Sequence, residues 1–457
     1  MSRSTILAAL ACFPPFWWFW TPLPPIKPGN TGGTHEMVSA TYGPRSIFND
    51  IMRGDTDLIL VGDSQSTYAQ YRAMHGWVRN LPATVTVCGR IWSGDIESNQ
   101  SGTQVQSPGT GASGAVLDLI AATSDSEAVA SWCPRDSYQI TFSGNMSDGT
   151  RMVAFKHRAV TEAGMYPGGD PFLAKRVRMW PIHRASNATE RIAGGGYRIG
   201  TFVSAGQAGA YVSVTMGTGG GLEKANNSII LEADQYVASV DAFPELRVVP
   251  LAGGNETGDI IQFGGAVMHV VDADGNRGTG LVFGACFESS WAASDWNANF
   301  TQAVWQNFYA AVTTGPDQTV IAIMLGHNAE SGTYSTNIAT ELSKHRAAFF
   351  AATGVYPKFL LVAPWESNDA NSMDATKNAA LKSLVGVGTA YGDVACVSLY
   401  DAFYGLDPGM TGLHPASNAE TDLSWGELWD QIRRASLSAR ARDGRTRETL
   451  RIARTAP

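Results

Sequence analysis

The chain has 457 residues, of which 44% are hydrophobic and 16% charged, and its formal net charge is −8. That length suggests two or three domains, and the composition excludes a disordered chain. The acidic balance argues against nucleic acid as a partner.

The first residues, "MSRSTILAALACFPPFWWFWTPLPPIKPGNTGG", admit two readings. Arg3, the apolar run from Ile6 to Phe13 and Ala9-Leu10-Ala11 resemble a short signal peptide with its cleavage site. The alternative is an apolar arm that docks on its own protein or on a neighbour. Ile6 to Trp20 is too short, and too broken by Pro14 and Pro15, to cross a bilayer as a helix, so no integral membrane span is expected. Residues 1–44 are therefore an arm plus a Pro/Gly linker, and the expected placement is exported, in the periplasm, at the cell surface or outside the cell, with a virion component as the other option.

Ser46 to Met52 predicts a short helix. The unbroken aliphatic run from Asp57 to Val61 predicts a buried strand, and Ser66 to Val78 has a helical pattern. These belong to a first piece, residues 45–80. Residues 81–278 change character. Short alternating runs such as "YQITFSG", "MVAFKHRAV", "YVSVTMG", "SIILEAD" and "LRVVPL" are separated by Gly, Asn and Asp clusters, the pattern of an inserted β-sandwich-like domain. "GTGASGAVLDLIAATSD" is ambiguous within it. "GGGYRIG" and "GTGGGLE" read as turns, because neither joins a strand to a long helix as a phosphate loop must.

From 279 to 435 strands and helices alternate. "TGLVFGA", "QTVIAIMLGHN", "KFLLVAPW" and "DVACVSLYDAF" read as strands. "WNANFTQAVWQNFYAAV", "TELSKHRAAFFAAT", "ATKNAALKSLV" and "LSWGELWDQIRRA" read as helices. Such alternation predicts βαβ units and a parallel sheet, which the strand at 57–61 would complete. The expected architecture is an α/β domain in two pieces around a β-rich insertion. The tail, 436–457, is basic: from Arg433 onward there are eight arginines against Asp443 and Glu448. It reads as a solvated terminus.

Sites in open parallel sheets form at the carboxyl ends of the strands. Gly62-Asp63-Ser64 follows the first strand, Gly326-His327-Asn328 follows "TVIAIML", Trp365 follows "KFLLVAP", and His414-Pro415 lies after the last strand. Serine, asparagine and histidine form a hydrolytic set. The histidine supplies the base that makes serine nucleophilic, and the amide can stabilise an oxyanion. Each alone has a plainer reading: Ser64 as a helix cap, Asn328 as a turn residue, His414 as a loop histidine. The five cysteines and eight histidines show no metal-ligand spacing, so no metal or other cofactor is expected.

"ILVGDSQS", "MLGHNAE" and "GLHPAS", in this order, resemble three blocks of the GDSL/SGNH hydrolase family. The resemblance covers roughly 45–80 and 279–435. It implies a flavodoxin-like three-layer fold and cofactor-free ester hydrolysis through an acyl-enzyme. Carried over, Ser64 is the nucleophile, His414 the general base, and Asn328 an oxyanion donor beside the Ser64 backbone N–H. Two departures matter. Thr411 stands where the family has an aspartate three residues before the histidine, and Asp407 lies at the wrong spacing to replace it directly. The oxyanion glycine has two candidates, Gly284 with the turn after it, which topology favours, and Gly94.

Thirteen tryptophans, several near strand ends, and the β insertion resemble the layout of SGNH carbohydrate esterases. This implies an acylated glycan as substrate, with Trp365, Trp291 and His327 as expected pocket residues. The competing reading is a non-catalytic carbohydrate-binding or structural protein of a virion or envelope on a degenerate hydrolase scaffold.

Overall fold

The computed structural model describes residues 40–63, 80–92, 103–106, 115–120, 133–134, 137–142, 153–157, 176–184, 196–204, 207–217, 219–232, 245–250, 260–287, 291–315, 318–328, 332–366, 372–387, 393–403 and 423–437. The strands, in chain order, are β1 (Thr41–Tyr42), β2 (Thr56–Gly62), β3 (Val87–Trp92), β4 (Thr103–Gln106), β5 (Ala115–Ile120), β6 (Ser137–Phe142), β7 (Val153–His157), β8 (Val177–Arg184) and β9 (Gly196–Ser204). They continue as β10 (Gln207–Thr215), β11 (Leu222–Lys224), β12 (Ile229–Leu231), β13 (Glu245–Pro250), β14 (Ile260–Val270), β15 (Leu281–Phe287), β16 (Gln318–Met324), β17 (Lys358–Ala363) and β18 (Val394–Ser398). The helices are α1 (Arg45–Arg53), α2 (Ala293–Asn299), α3 (Gln302–Val312), α4 (Tyr334–Thr353), α5 (Ala375–Val387), α6 (Leu399–Ala402) and α7 over 423–437.

Five strands form the centre, in the order β15-β2-β16-β17-β18, all parallel. Numbered by their own succession this is 2-1-3-4-5, the doubly wound flavodoxin-like order. Alternate residues of each strand face opposite sides. Leu58, Leu60, Val320, Ala322, Leu360 and Val362 pack with Ile47, Phe48 and Ile51 of α1 and with Trp425, Leu428 and Trp429 of α7. Ile59, Val61, Ile321, Ile323, Phe359 and Leu361 pack with Trp305, Phe308, Ile338, Phe349 and Leu381 of α3, α4 and α5. Helices on both faces explain why these strands read as unbroken aliphatic runs rather than alternating ones.

The fold is mixed α/β, and the sheet departs from the wholly parallel one expected. β3, placed by its sequence at the opening of the insertion, pairs parallel with β15 and extends the parallel set by one strand. β14 then pairs antiparallel with β3, β6 and β8, so the antiparallel strands continue the same hydrogen-bonded sheet. β1 adds an antiparallel edge on β18. A second, five-stranded sheet, β10-β9-β13-β7-β4, is antiparallel throughout. Its Tyr197 packs edge-to-face on Phe263 of β14 and joins the core that holds Val177 and Met179 of β8.

One helical and one strand expectation change. "WNANFTQAVWQNFYAAV" is two helices, because Phe300 is extended and the Thr301 hydroxyl accepts from the Val304 N–H, capping a new start. "DVACVSLYDAF" is β18 followed by α6, whose N-cap Ser398 accepts from the Asp401 N–H. The expected helix at 66–78 lies outside the described residues. Cys88, Cys133, Cys286 and Cys396 are buried.

Candidate active site

The register places the three central strand ends side by side. Gly62 at the end of β2 is level with Phe287 of β15 and Met324 of β16. In this strand order the chain reverses its winding direction between β2 and β16, the position where open α/β sheets form ligand crevices. Asp63 and the turn Leu325–Asn328 therefore leave neighbouring strand ends. Asp63 is buried, and Ser64 follows it directly in the chain. Ser64, His414, Asp407, Thr411 and Gly94 lie outside the described residues.

Asn328 is the informative residue. It has φ 65, the only non-glycine at positive φ among the described residues. Asparagine tolerates this left-handed conformation better than most residues, and such strain gathers at functional turns. Its Nδ2 is buried without a hydrogen-bond partner among the described residues. A buried amide donor left unmade costs on the order of 1–3 kcal/mol, so an open donor at a strand end is a marked feature. His327 beside it is fully buried.

The turn is enclosed from behind. The Tyr334 hydroxyl donates to the Leu325 carbonyl. Lys377 Nζ donates to the carbonyls of Gly326 (3.4 Å) and Ser372 (2.9 Å). Burial, with the nearby Asp63 carboxylate next in size, pushes the Tyr334 pKa well above its ordinary value, so this hydroxyl is a neutral donor. Neither residue was singled out from sequence. Lys377 had a signal: it shares a helical stripe with the buried Leu381, Leu384 and Val385, so a cation occupies an apolar-stripe position.

The expected aromatic and glycine residues fare differently. Trp365 does follow β17, but it is fully buried with its ring edge-to-face on Trp425 at 6.3 Å. It is a core residue and offers no face for stacking. Trp291 is half-buried, edge-to-face on Trp296 at 5.3 Å, just past the end of β15. Gly284 lies within β15, level with Ile59, three residues before the strand end. A Cβ there would stand 2.7 Å from Ile91 Cδ1, so its bareness lets β3 pack closely. The turn after β15, at 288–290, lies outside the described residues.

A second polar cluster sits at the opposite, amino end of β2. Asp57 accepts from the Thr314 N–H (2.8 Å) and hydroxyl (2.7 Å), with Arg277 Nη2 at 3.6 Å. Burial nevertheless pushes its carboxyl up to about 6. Burial likewise pulls the His269 imidazole on β14 down to about 4, helped by Arg277, Arg178 and Lys224. This cluster faces away from the strand ends that carry the turn of Asn328.

No family model matches the chain, and no curated protein matches its sequence. Among solved structures, one described as "Peptidoglycan O-acetylesterase in action, 5 min" superposes with a TM-score of 0.53 at 10% identity, over 86% of this chain and 96% of that one. An arabinose-bound α-L-arabinofuranosidase matches with a TM-score of 0.29 at 12% identity, over 76% and 50% of the two chains. A tandem carbohydrate-binding domain from Paenibacillus barcinonensis matches with a TM-score of 0.22 at 12% identity, over 41% and 47%. The first likeness is one of fold: the chain shares a distant esterase-like architecture along most of its length. No helix among the described residues is long and apolar enough to cross a membrane.

Proposed function

We propose that the chain is a serine esterase of the SGNH type that removes acetyl or a similar acyl group from a glycan. The observation that carries this is Asn328: a left-handed residue just past the switch-point strand end, whose buried Nδ2 has no hydrogen-bond partner among the described residues. The level ends of β2 and β16, which bring residues 62–63 beside the start of that turn, support it. The fold likeness to a peptidoglycan O-acetylesterase supports the reaction class.

In this reading the Ser64 hydroxyl attacks the ester carbonyl while His414 takes its proton. The oxyanion accepts hydrogen bonds from Asn328 Nδ2 and the Ser64 N–H, with the turn after β15 as a further donor region. Collapse expels the sugar alkoxide, which His414 protonates, and water then hydrolyses the acyl-enzyme by the same steps. Thr411 in place of the orienting aspartate leaves His414 to act in a dyad or with Asp407. The glycan would lie across the strand ends toward Trp291 and the antiparallel strands, in a setting outside the cytoplasm.

Ser64→Ala tests the assignment. Turnover of p-nitrophenyl acetate by the purified chain is expected to vanish, and turnover that survives would sink it. Thr411 also favours a second reading, glycan binding without hydrolysis. Under that reading a fluorophosphonate would leave Ser64 unlabelled while the glycan still binds.

A further inference from the structure

A hydrogen-bond donor stabilises a transition state only if its position is fixed before the reaction begins. The turn that carries Asn328 is fixed by contacts from three directions. Tyr334, the first residue of α4, donates to the Leu325 carbonyl. Lys377 of α5 donates to the Gly326 carbonyl. Gly326 itself is closely packed, since a Cβ there would stand 2.4 Å from Met373 Cε and 2.7 Å from Pro364 Cδ.

Lys377 is placed against its own preferences. It is 2% exposed. It lies in the first turn of α5, where the helix field disfavours a cation, and the Asp374 carboxylate there caps its backbone N–H at 2.7 Å. Burying an ammonium is costly unless acceptors surround it. Its acceptors include two backbone carbonyls, one of which belongs to the turn of Asn328. Helix formation alone would favour leucine or methionine at such a site, as at Leu381 and Leu384 on the same stripe.

We infer that Lys377 and Tyr334 are positioning residues for the oxyanion site. By engaging the carbonyls of Leu325 and Gly326 they hold the backbone that keeps Asn328 left-handed and its side-chain amide available as a donor. This rests on the esterase reading above. Neither residue is assigned contact with substrate; both act through Asn328.

The test is a double-mutant cycle in the full chain. Tyr334→Phe and Lys377→Met are made alone and combined with Asn328→Ala, and assayed on p-nitrophenyl acetate. Each single change is expected to lower kcat about tenfold with KM within about twofold. In the Asn328→Ala background each is expected to cost less than about twofold, because its effect has already been removed. A full further tenfold loss in that background would overturn the inference, since the residues would then act on the fold at large. Should Lys377→Met fail to fold, Tyr334→Phe carries the cycle alone. If the wild-type chain hydrolyses no ester, the functional reading fails, and positioning is read from amide hydrogen exchange instead. Tyr334→Phe is then expected to raise exchange at 326–328 by about tenfold while 320–324 stay protected. Unchanged exchange at 326–328 overturns the inference.

Discussion

In the parallel half of the sheet, β2 is buried at all seven positions and β18 at all five, whereas β8 in the antiparallel half mixes buried and half-buried residues. The parallel strands are covered by helices on both faces and are held by apolar packing. The antiparallel strands meet a second sheet, which joins their apolar core through Tyr197, Ile199 and Val214 and adds a buried polar link. His183 of β8 shares one ring nitrogen with the Tyr197 hydroxyl of β9 at 2.7 Å and the other with Glu223 at 2.8 Å. In the parallel half the strands leave polar groups chiefly at their ends, and there the two ends differ in kind. The amino end joins the halves through Asp57, Arg277 and Lys224, and the carboxyl end carries the turn of Asn328. Catalysis and cohesion are thus expected to respond to different substitutions.

The largest expected separation comes from Asn328→Ala. Removing one oxyanion donor is expected to lower kcat by about 10²- to 10³-fold, at a stability cost of only about 1 kcal/mol for alanine at this positive φ. Steady-state assays and unfolding curves on the same preparation check both. His183→Leu is expected to do the reverse. It leaves the buried Tyr197 hydroxyl and Glu223 without their shared partner, at a cost of about 3 kcal/mol, while kcat on a small ester stays within about twofold. A large loss of activity from His183→Leu would erase the division between the halves.

The seam between them has a pH signature. Asp57, raised to about 6, holds its proton more tightly in the folded state, so its contribution falls as pH rises from about 4 to 6. His269, lowered to about 4, holds its proton less tightly when folded, so its contribution grows from about 4 to 6.5. Each contributes up to about 3 kcal/mol, and the two oppose. Relative to the wild type, the dependence of stability on pH between about 4 and 6 is expected to slope more upward in Asp57→Asn and more downward in His269→Gln. Urea midpoints at pH 4, 5 and 6 decide it.

The smallest effects are at ion pairs. Asp393, bound through both oxygens to Arg346 at 2.8 and 3.0 Å and largely buried, is expected to cost about 1–2 kcal/mol as Asp393→Asn. Glu232, half exposed beside Arg176 at 2.5 Å, is expected to cost no more than about 0.5 kcal/mol as Glu232→Gln. Thermal midpoints of the two variants measured side by side test this order.

The same division governs how much was legible in the sequence. β2, β15, β16, β17 and β18 stood out as aliphatic runs because both their faces are covered, and their strand ends located the turn of Asn328. β3 did not stand out as part of that set. "VTVCGRIW" alternates like the insertion strands, and only long-range pairing with Leu281–Phe283 assigns it to the parallel side. β14 carries no clean alternation because Gly264-Gly265 interrupts it, and the structure makes that pair a register shift inside an 11-residue strand that pairs with three others. Trp365 was expected at a pocket because it follows a strand, but sequence position does not reveal that Trp425 covers its ring. Tyr334 and Lys377 reach the turn of Asn328 from two different helices, a convergence that no local pattern encodes.

In the proposed mechanism Asn328 and Ser64 face one reacting centre. The most direct measurement is a crystal structure of the chain treated with a fluorophosphonate. The expected result is a phosphonyl group on Ser64 Oγ, with its non-bridging oxygen accepting a hydrogen bond from Asn328 Nδ2. A modified Ser64 whose phosphonyl oxygen points away from Asn328, or a treated chain with Ser64 unmodified, would contradict the account.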